Sequence, residues 1–212
     1  MTRVYMWMSF ALILTAITAY IISQSESAIY FIFANKPVFY GLIIGELVLV
    51  VIISSAINKL SVQISSLLFV LYSILTGITI SSIFVIFTEG SIASTFLIAA
   101  LTFGAMSIFG ATTKKDLTKW GNILIMALAG LIIASIVNLF FSNSTLYWIT
   151  TYAGVLIFVG LIAYDTQKLK RLGNQIHGNN EIAKLSILGA LTLYLDFINL
   201  FLYLLRIFGR KK

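Results

Sequence analysis

Acids are scarce in this chain, seven Asp and Glu among 212 residues, and three of them sit where they could do chemistry. Asp196 lies near the middle of the last hydrophobic stretch, Glu181 to Arg210, and Glu46 lies well inside a run that begins at Pro37. An ionisable group inside an apolar run is costly to keep there. Its default reading is therefore functional, as an ion ligand, a proton carrier or a gating charge; the bland reading is a protonated packing residue bonded to a neighbour. The third acid, Asp165, stands at the end of the run Leu146 to Tyr164. Counted at helical spacing from Ser186, the residues Gly189, Thr192, Asp196, Asn199, Tyr203 and Arg206 follow at steps of three or four. The small and polar side chains of the last stretch thus form one narrow stripe, with Leu, Ile and Phe elsewhere. Such a helix is expected where apolar helices or lipid surround it and the polar seam faces a bundle interior or a water-filled path. The stretch is read as a central helix, with Thr192, Asn199, Tyr203 and Arg206 as secondary candidates beside Asp196.

The elements that must position these acids follow from composition. Mean hydropathy is +1.04; 60% of residues are hydrophobic and 10% charged, against about 25% charged in ordinary soluble domains. At about 20 apolar residues per crossing, the chain is read as an all-α integral membrane protein, a single domain over residues 1–212 with seven transmembrane helices and short loops. The absence of cysteine excludes disulfides, thiolate catalysis and thiolate metal sites. The net charge of +7 sits in loops and at the tail, where it sets orientation and meets anionic lipid, so the expected partner is the lipid bilayer and not nucleic acid.

The crossings are read as Tyr5 to Ser23, Pro37 to Ile57, Ile64 to Phe87, Ile92 to Ala111, Ile123 to Phe141, Leu146 to Tyr164 and Glu181 to Arg210. The first is too long for the apolar core of a secretory signal, about 7–15 residues, and reads as an uncleaved crossing. Gly41 and Gly45 make a Gly-x-x-x-Gly pair that would let a neighbouring helix approach closely. Glu89 and Gly90 close the third run. Arg3, Lys59, the patch Lys114, Lys115 and Lys119, and Lys168, Lys170 and Arg171 fall on one side if the crossings alternate, which places that side and the N-terminus in the cytoplasm. Seven crossings then put Arg210, Lys211 and Lys212 outside, against the same rule; a re-entrant last segment is the alternative.

The stretch Ala163-Tyr164-Asp165-Thr166-Gln167, the stretch Leu193-Tyr194-Leu195-Asp196-Phe197-Ile198-Asn199-Leu200-Phe201 with Leu204-Leu205-Arg206-Ile207 behind it, and Thr113-Lys114-Lys115-Asp116-Leu117 together resemble the Bax inhibitor-1 family, also called the transmembrane Bax inhibitor motif family, in its bacterial branch. The resemblance spans all seven crossings. It implies six helices around a central seventh, an aspartate pair matched here by Asp165 and Asp196, and a pH-sensitive calcium leak; for the bacterial type it implies the plasma (inner) membrane.

Two carboxylates on facing helices cannot both ionise cheaply in a low-dielectric site, so they would share a proton and sense pH. Ionised, the same oxygens are hard ligands suited to calcium, which takes six to eight oxygens. Two carboxylates alone make a weak site, and weak binding suits a conduction path. The two acids meet only if the last helix starts early, because Asp196 lies deeper along its helix than Asp165 does from the end of its own. Lys59 is read as a snorkelling interfacial lysine or as a cationic latch on the pair, Asn138 and Asn199 as structural glue across helices, and the loop residue His177 as solvated.

The function expected is a pH-sensitive ion channel or leak, most of all for calcium, with protons or other cations as further cargo, no resident cofactor and no enzymatic activity. A regulatory membrane protein that binds a membrane protease or another membrane partner is the alternative. An aspartyl intramembrane protease is the third reading; Tyr164-Asp165 resembles the first motif of such enzymes, but Leu193 to Leu195 stand where their Gly-x-Gly would precede the second acid.

Overall fold

A computed structural model describes residues 1–176 and 178–212; His177, read above as solvated, lies outside the described residues. Among the described residues the regular elements are helices: α1 (Thr2–Ser23), α2 (Glu26–Ala34), α3 (Lys36–Ala56), α4 (Val62–Ile80), α5 (Ile83–Ile86), α6 (Glu89–Thr112), α7 (Thr118–Phe141), α8 (Ser144–Gly173) and α9 (Asn179–Phe208). Seven stretches are long and apolar enough to cross a membrane, α4 and α5 together making one of them. The protein is an all-α integral membrane protein, as its composition requires. In α9, 67% of the most apolar window is buried, against 6% in α7.

The chain divides into two compact units, and α9 gives its first half to one and its second half to the other. Unit 1 comprises residues 1–89, 173–194 and 211–212; unit 2 comprises residues 90–172 and 195–210.

In unit 1, α1 and α4 approach so closely that a Cβ on Gly77 would fall 2.7 Å from Thr18 Cβ and 2.8 Å from the Thr15 carbonyl oxygen. The Thr15 hydroxyl donates to the Ser73 carbonyl at 2.8 Å and lies 2.7 Å from the Tyr194 hydroxyl. Tyr194 is fully buried, with Phe69 and Tyr72 packed edge to face against it at 5.9 and 5.7 Å. A buried phenol is tolerated because its hydroxyl has this partner. The third crossing bends where Ser81 turns its hydroxyl back on the Ile78 carbonyl at 2.7 Å, and the chain continues as the short α5. The last residues return here: Phe87 pairs with Lys211 in an isolated antiparallel bridge, and Lys212 donates from its backbone to Ile86 O and from Nζ to Phe84 O.

Unit 2 is held by glycines set against α8. A Cβ on Gly110 of α6 would collide with the Ala163 carbonyl, one on Gly121 of α7 with the Tyr164 ring, and one on Gly160 would fall 2.7 Å from Leu124 Cδ1. Phe197 meets Phe96 and Phe103 edge to face at 5.2 and 5.7 Å.

Several boundaries differ from the sequence reading. Helix α2 was not anticipated; its nine residues are too few to cross a membrane, so hydropathy passed over it. Glu89 opens α6 and does not close the preceding run. Helix α8 runs on to Gly173, so Asp165 lies inside a helix and not at its end. The Gly-x-x-x-Gly pair does not serve close packing within this chain: a Cβ on Gly41 would meet nothing within 4 Å, and one on Gly45 would be at an ordinary 3.8 Å from Leu75.

Candidate functional site

Asp165 and Asp196 both belong to unit 2, on α8 and α9, with their carboxyl groups close enough to act on each other. The last helix starts at Asn179, two residues before Glu181. Asp196 is 5% exposed and Asp165 half-buried. A hydrogen bond between two carboxyls needs a proton on one of them, since an ionised carboxylate only accepts. With both ionised, Asp196 Oδ2 is a buried oxygen without a partner among the described residues. A proton held between the two groups would supply a donor for it. Lys168 stands three residues on from Asp165 along α8, on the same side of the helix, and its ammonium lies 5.7 Å from the Tyr164 ring centroid. For a counter-charge to the pair, sequence reasoning weighed Lys59 as a cationic latch against a plain snorkelling lysine. Lys59 is in unit 1, exposed just past the end of α3, and makes no ion pair among the described residues.

What places Asp165 is a ladder of contacts from α8 to α6, α7 and the turn between them. The Ser107 and Thr166 hydroxyls lie 3.3 Å apart. Lys170 Nζ donates to the Ala111 carbonyl at 2.7 Å, satisfying an otherwise unpaired acceptor in the last turn of α6. Gln167 reads the turn in both directions: its Nε2 donates to the Lys115 carbonyl and its Oε1 accepts from the Leu117 N–H, each at 2.9 Å. Arg171 reaches Asp116 Oδ1 at 3.1 Å, the single ion pair among the described residues. The Thr118 hydroxyl and backbone N–H, with Arg171, hold the Asp116 carboxyl down to about 2. Sequence reasoning missed Gln167 and Arg171 as positioning residues. The available signal was Asp116 two places before Thr118, the pattern of an Asx turn.

The remaining candidates are placed one by one. Glu46 is half-buried in unit 1 and accepts a hydrogen bond from the Thr79 hydroxyl. The polar stripe of α9 is bonded mainly to its own helix: Ser186 donates to Ile182 O, Thr192 to Leu188 O and Asn199 to Leu195 O, at 2.7, 3.1 and 2.8 Å. Asn199 is thus not glue between helices, and neither is Asn138, whose Oδ1 caps the α7–α8 turn by accepting from the Asn143 N–H. Tyr203 stacks on Phe158, and Arg206 lies over the rings of Tyr203 and Tyr147. Among the described residues no three His, Asp or Glu side chains gather at one point. A calcium ion at the pair would therefore take most of its oxygens from hydroxyls, carbonyls and water.

Comparison with known proteins gives the context for this arrangement. A family model described as "Inhibitor of apoptosis-promoting Bax1" matches residues 1–212. Over 214 aligned residues the chain is 53% identical to "Inner membrane protein YbhL" of Escherichia coli strain K12, covering 100% of this chain and 92% of that protein. It is 46% identical to an uncharacterized protein of Borreliella burgdorferi, with 100% and 92% coverage. It is 43% identical to an uncharacterized protein of Rickettsia prowazekii, with 100% and 89% coverage.

Proposed function

Because the chain belongs to the Bax inhibitor-1 family, we propose that it is a pH-sensitive ion leak of a bacterial plasma membrane, with calcium as its cargo and the Asp165–Asp196 pair as its sensor. The single observation that carries this reading is the meeting of two carboxyls in unit 2, one of them almost fully buried and with an oxygen that has no partner among the described residues. Such a pair changes charge as protons come and go. With a proton between them the two groups hold α8 and α9 to each other. Without it they are two like charges in a poorly solvated place, and a cation is the natural bridge. Proton and calcium then compete for one site, so calcium affinity falls as pH drops.

In this account α9 is the central helix, surrounded by the other six crossings. Its high burial supports that arrangement. The N-terminus is cytoplasmic, no resident cofactor is required, and the protein is not an enzyme. Purified protein in liposomes loaded with a calcium-sensitive dye, tested across pH, checks the proposal: pH-dependent calcium entry above that of protein-free liposomes is expected. Entry equal to the protein-free control would instead favour a regulatory membrane protein.

A further inference from the structure

The aromatic end of unit 2 carries a cation without an acid. Arg206, exposed in the last turn of α9, holds its guanidinium 4.9 Å from the centroid of the Tyr203 ring and 5.4 Å from that of Tyr147. Tyr203 is a fixed platform. It stacks on Phe158 at 5.9 Å and 28°, and its ring fills the space beside Gly154, where a Cβ would fall 2.7 Å from it. Tyr147, in the first turn of α8, packs edge-on to Trp148, which stacks in turn on Tyr152. No acid faces this guanidinium: the one ion pair among the described residues is that of Arg171 with Asp116.

Among the described residues the Arg206 guanidinium, exposed and set near two rings, has no hydrogen-bond or ion-pair partner for its N–H groups. These N–H groups form a fork of donors matched to two oxygens of one phosphate group. Trp148 and Tyr152, exposed in the first turns of α8 and linked ring to ring to Tyr147, mark the level of the membrane–water interface, where amphipathic rings settle. Arg210, four residues further along the chain and past the end of α9, adds a second positive charge to this end of the sequence. The anion abundant at that level is lipid phosphate. We propose that Arg206, seated on Tyr203 and Tyr147, binds the phosphate of an anionic phospholipid headgroup. This site is independent of the carboxyl pair and of ion conduction.

The test compares thermal unfolding of the purified full-length chain in detergent with added phosphatidylglycerol, phosphatidylcholine or inorganic phosphate. Phosphatidylglycerol is expected to raise the midpoint by several degrees and the other two additions by much less, with most of the rise lost in Arg206→Gln. An equal rise in Arg206→Gln, or from inorganic phosphate or phosphatidylcholine in the unmutated protein, would overturn the proposal. Should Arg206→Gln fail to fold, Arg206→Lys, which keeps the charge and gives up the fork, is assayed for phosphatidylglycerol retained through purification, counted by mass spectrometry. Fewer lipids per protein are expected; an unchanged count overturns the assignment.

Discussion

Gln167 of α8 is bonded through both ends of its amide to the turn between α6 and α7, donating to the Lys115 carbonyl and accepting from the Leu117 N–H. It lies two residues beyond Asp165, so this clamp ties the part of α8 that carries Asp165 to the α6–α7 turn. Gln167→Ala leaves the Leu117 N–H and the Lys115 carbonyl without these partners. At a partly solvated turn, water replaces much of what is lost, and a destabilisation of about 1 kcal/mol is expected. Thermal unfolding in detergent measures it, and an unchanged midpoint would show that the clamp does not hold α8.

Close packing predicts a sharper contrast among glycines. Gly110→Ala drives a methyl group into the Ala163 backbone, which cannot move without shifting α8; a loss of about 1–3 kcal/mol is expected from such overpacking. Gly104→Ala, in the same helix and with nothing within 4 Å, is expected to be neutral or to stabilise by about 0.5–1 kcal/mol through helix propensity. Unfolding midpoints of the two variants should therefore move in opposite directions or differ clearly.

Most of the fold was legible in the sequence because a lipid-facing helix announces itself by hydrophobicity alone. What was not legible obeys other rules. Helix α2 depends on a local cap, Ser25 accepting from the Ala28 N–H, and its length is below any spanning threshold. Helix α8 passes through Asp165 into Gln167-Lys168-Leu169-Lys170-Arg171, where polarity suggested an exit and the backbone simply continued. Gln167 closes the stretch Ala163-Tyr164-Asp165-Thr166-Gln167 that carries the family resemblance, yet nothing in that stretch says that its amide reaches the turn some fifty residues earlier. The polar stripe of α9 was read correctly as a pattern, yet spacing cannot say whether a hydroxyl reaches across to a neighbour or back to the carbonyl four residues earlier, as Ser186 and Thr192 do.

The pH response is expected to be separable from the Arg171–Asp116 pair, the one ion pair among the described residues. The Asp116 carboxyl lies lower in the folded protein, at about 2, than its ordinary value of 3.8. Its contribution is therefore complete above the ordinary value and is lost only as pH falls towards the lower one. Between about pH 5 and about pH 8 it stays ionised in both states. Asp116→Asn should leave the pH profile of calcium flux over that interval unchanged, and a displaced profile would show that the sensor extends to the α6–α7 turn.

Two lysines compete for the role of counter-charge to the pair. Lys168→Ala removes the positive charge three residues on from Asp165 along α8 and is expected to shift the pH midpoint of flux. Under the latch idea, Lys59→Ala raises calcium flux at neutral pH and flattens its pH dependence; for a snorkelling lysine both stay as in the unmutated protein. Flux from the two variants at neutral and acidic pH decides between them.

Orientation is tested with reporter fusions. A fusion after Lys115 or Arg171 should report cytoplasm, and one in the Ser142 to Thr145 connection the opposite side; exchanged signals would invert the proposed topology. A fusion after Lys212 separates seven full crossings from a re-entrant end.

The most direct test of the carboxyl pair is calcium flux into dye-loaded liposomes as a function of pH for Asp196→Asn beside the unmutated protein. The amide has nearly the shape of the acid and can still hydrogen-bond, but it cannot exchange the shared proton. Folded protein with flux that no longer varies with pH is the predicted result. A folded variant whose pH profile superimposes on that of the unmutated protein would contradict the assignment of Asp165 and Asp196 as the sensor.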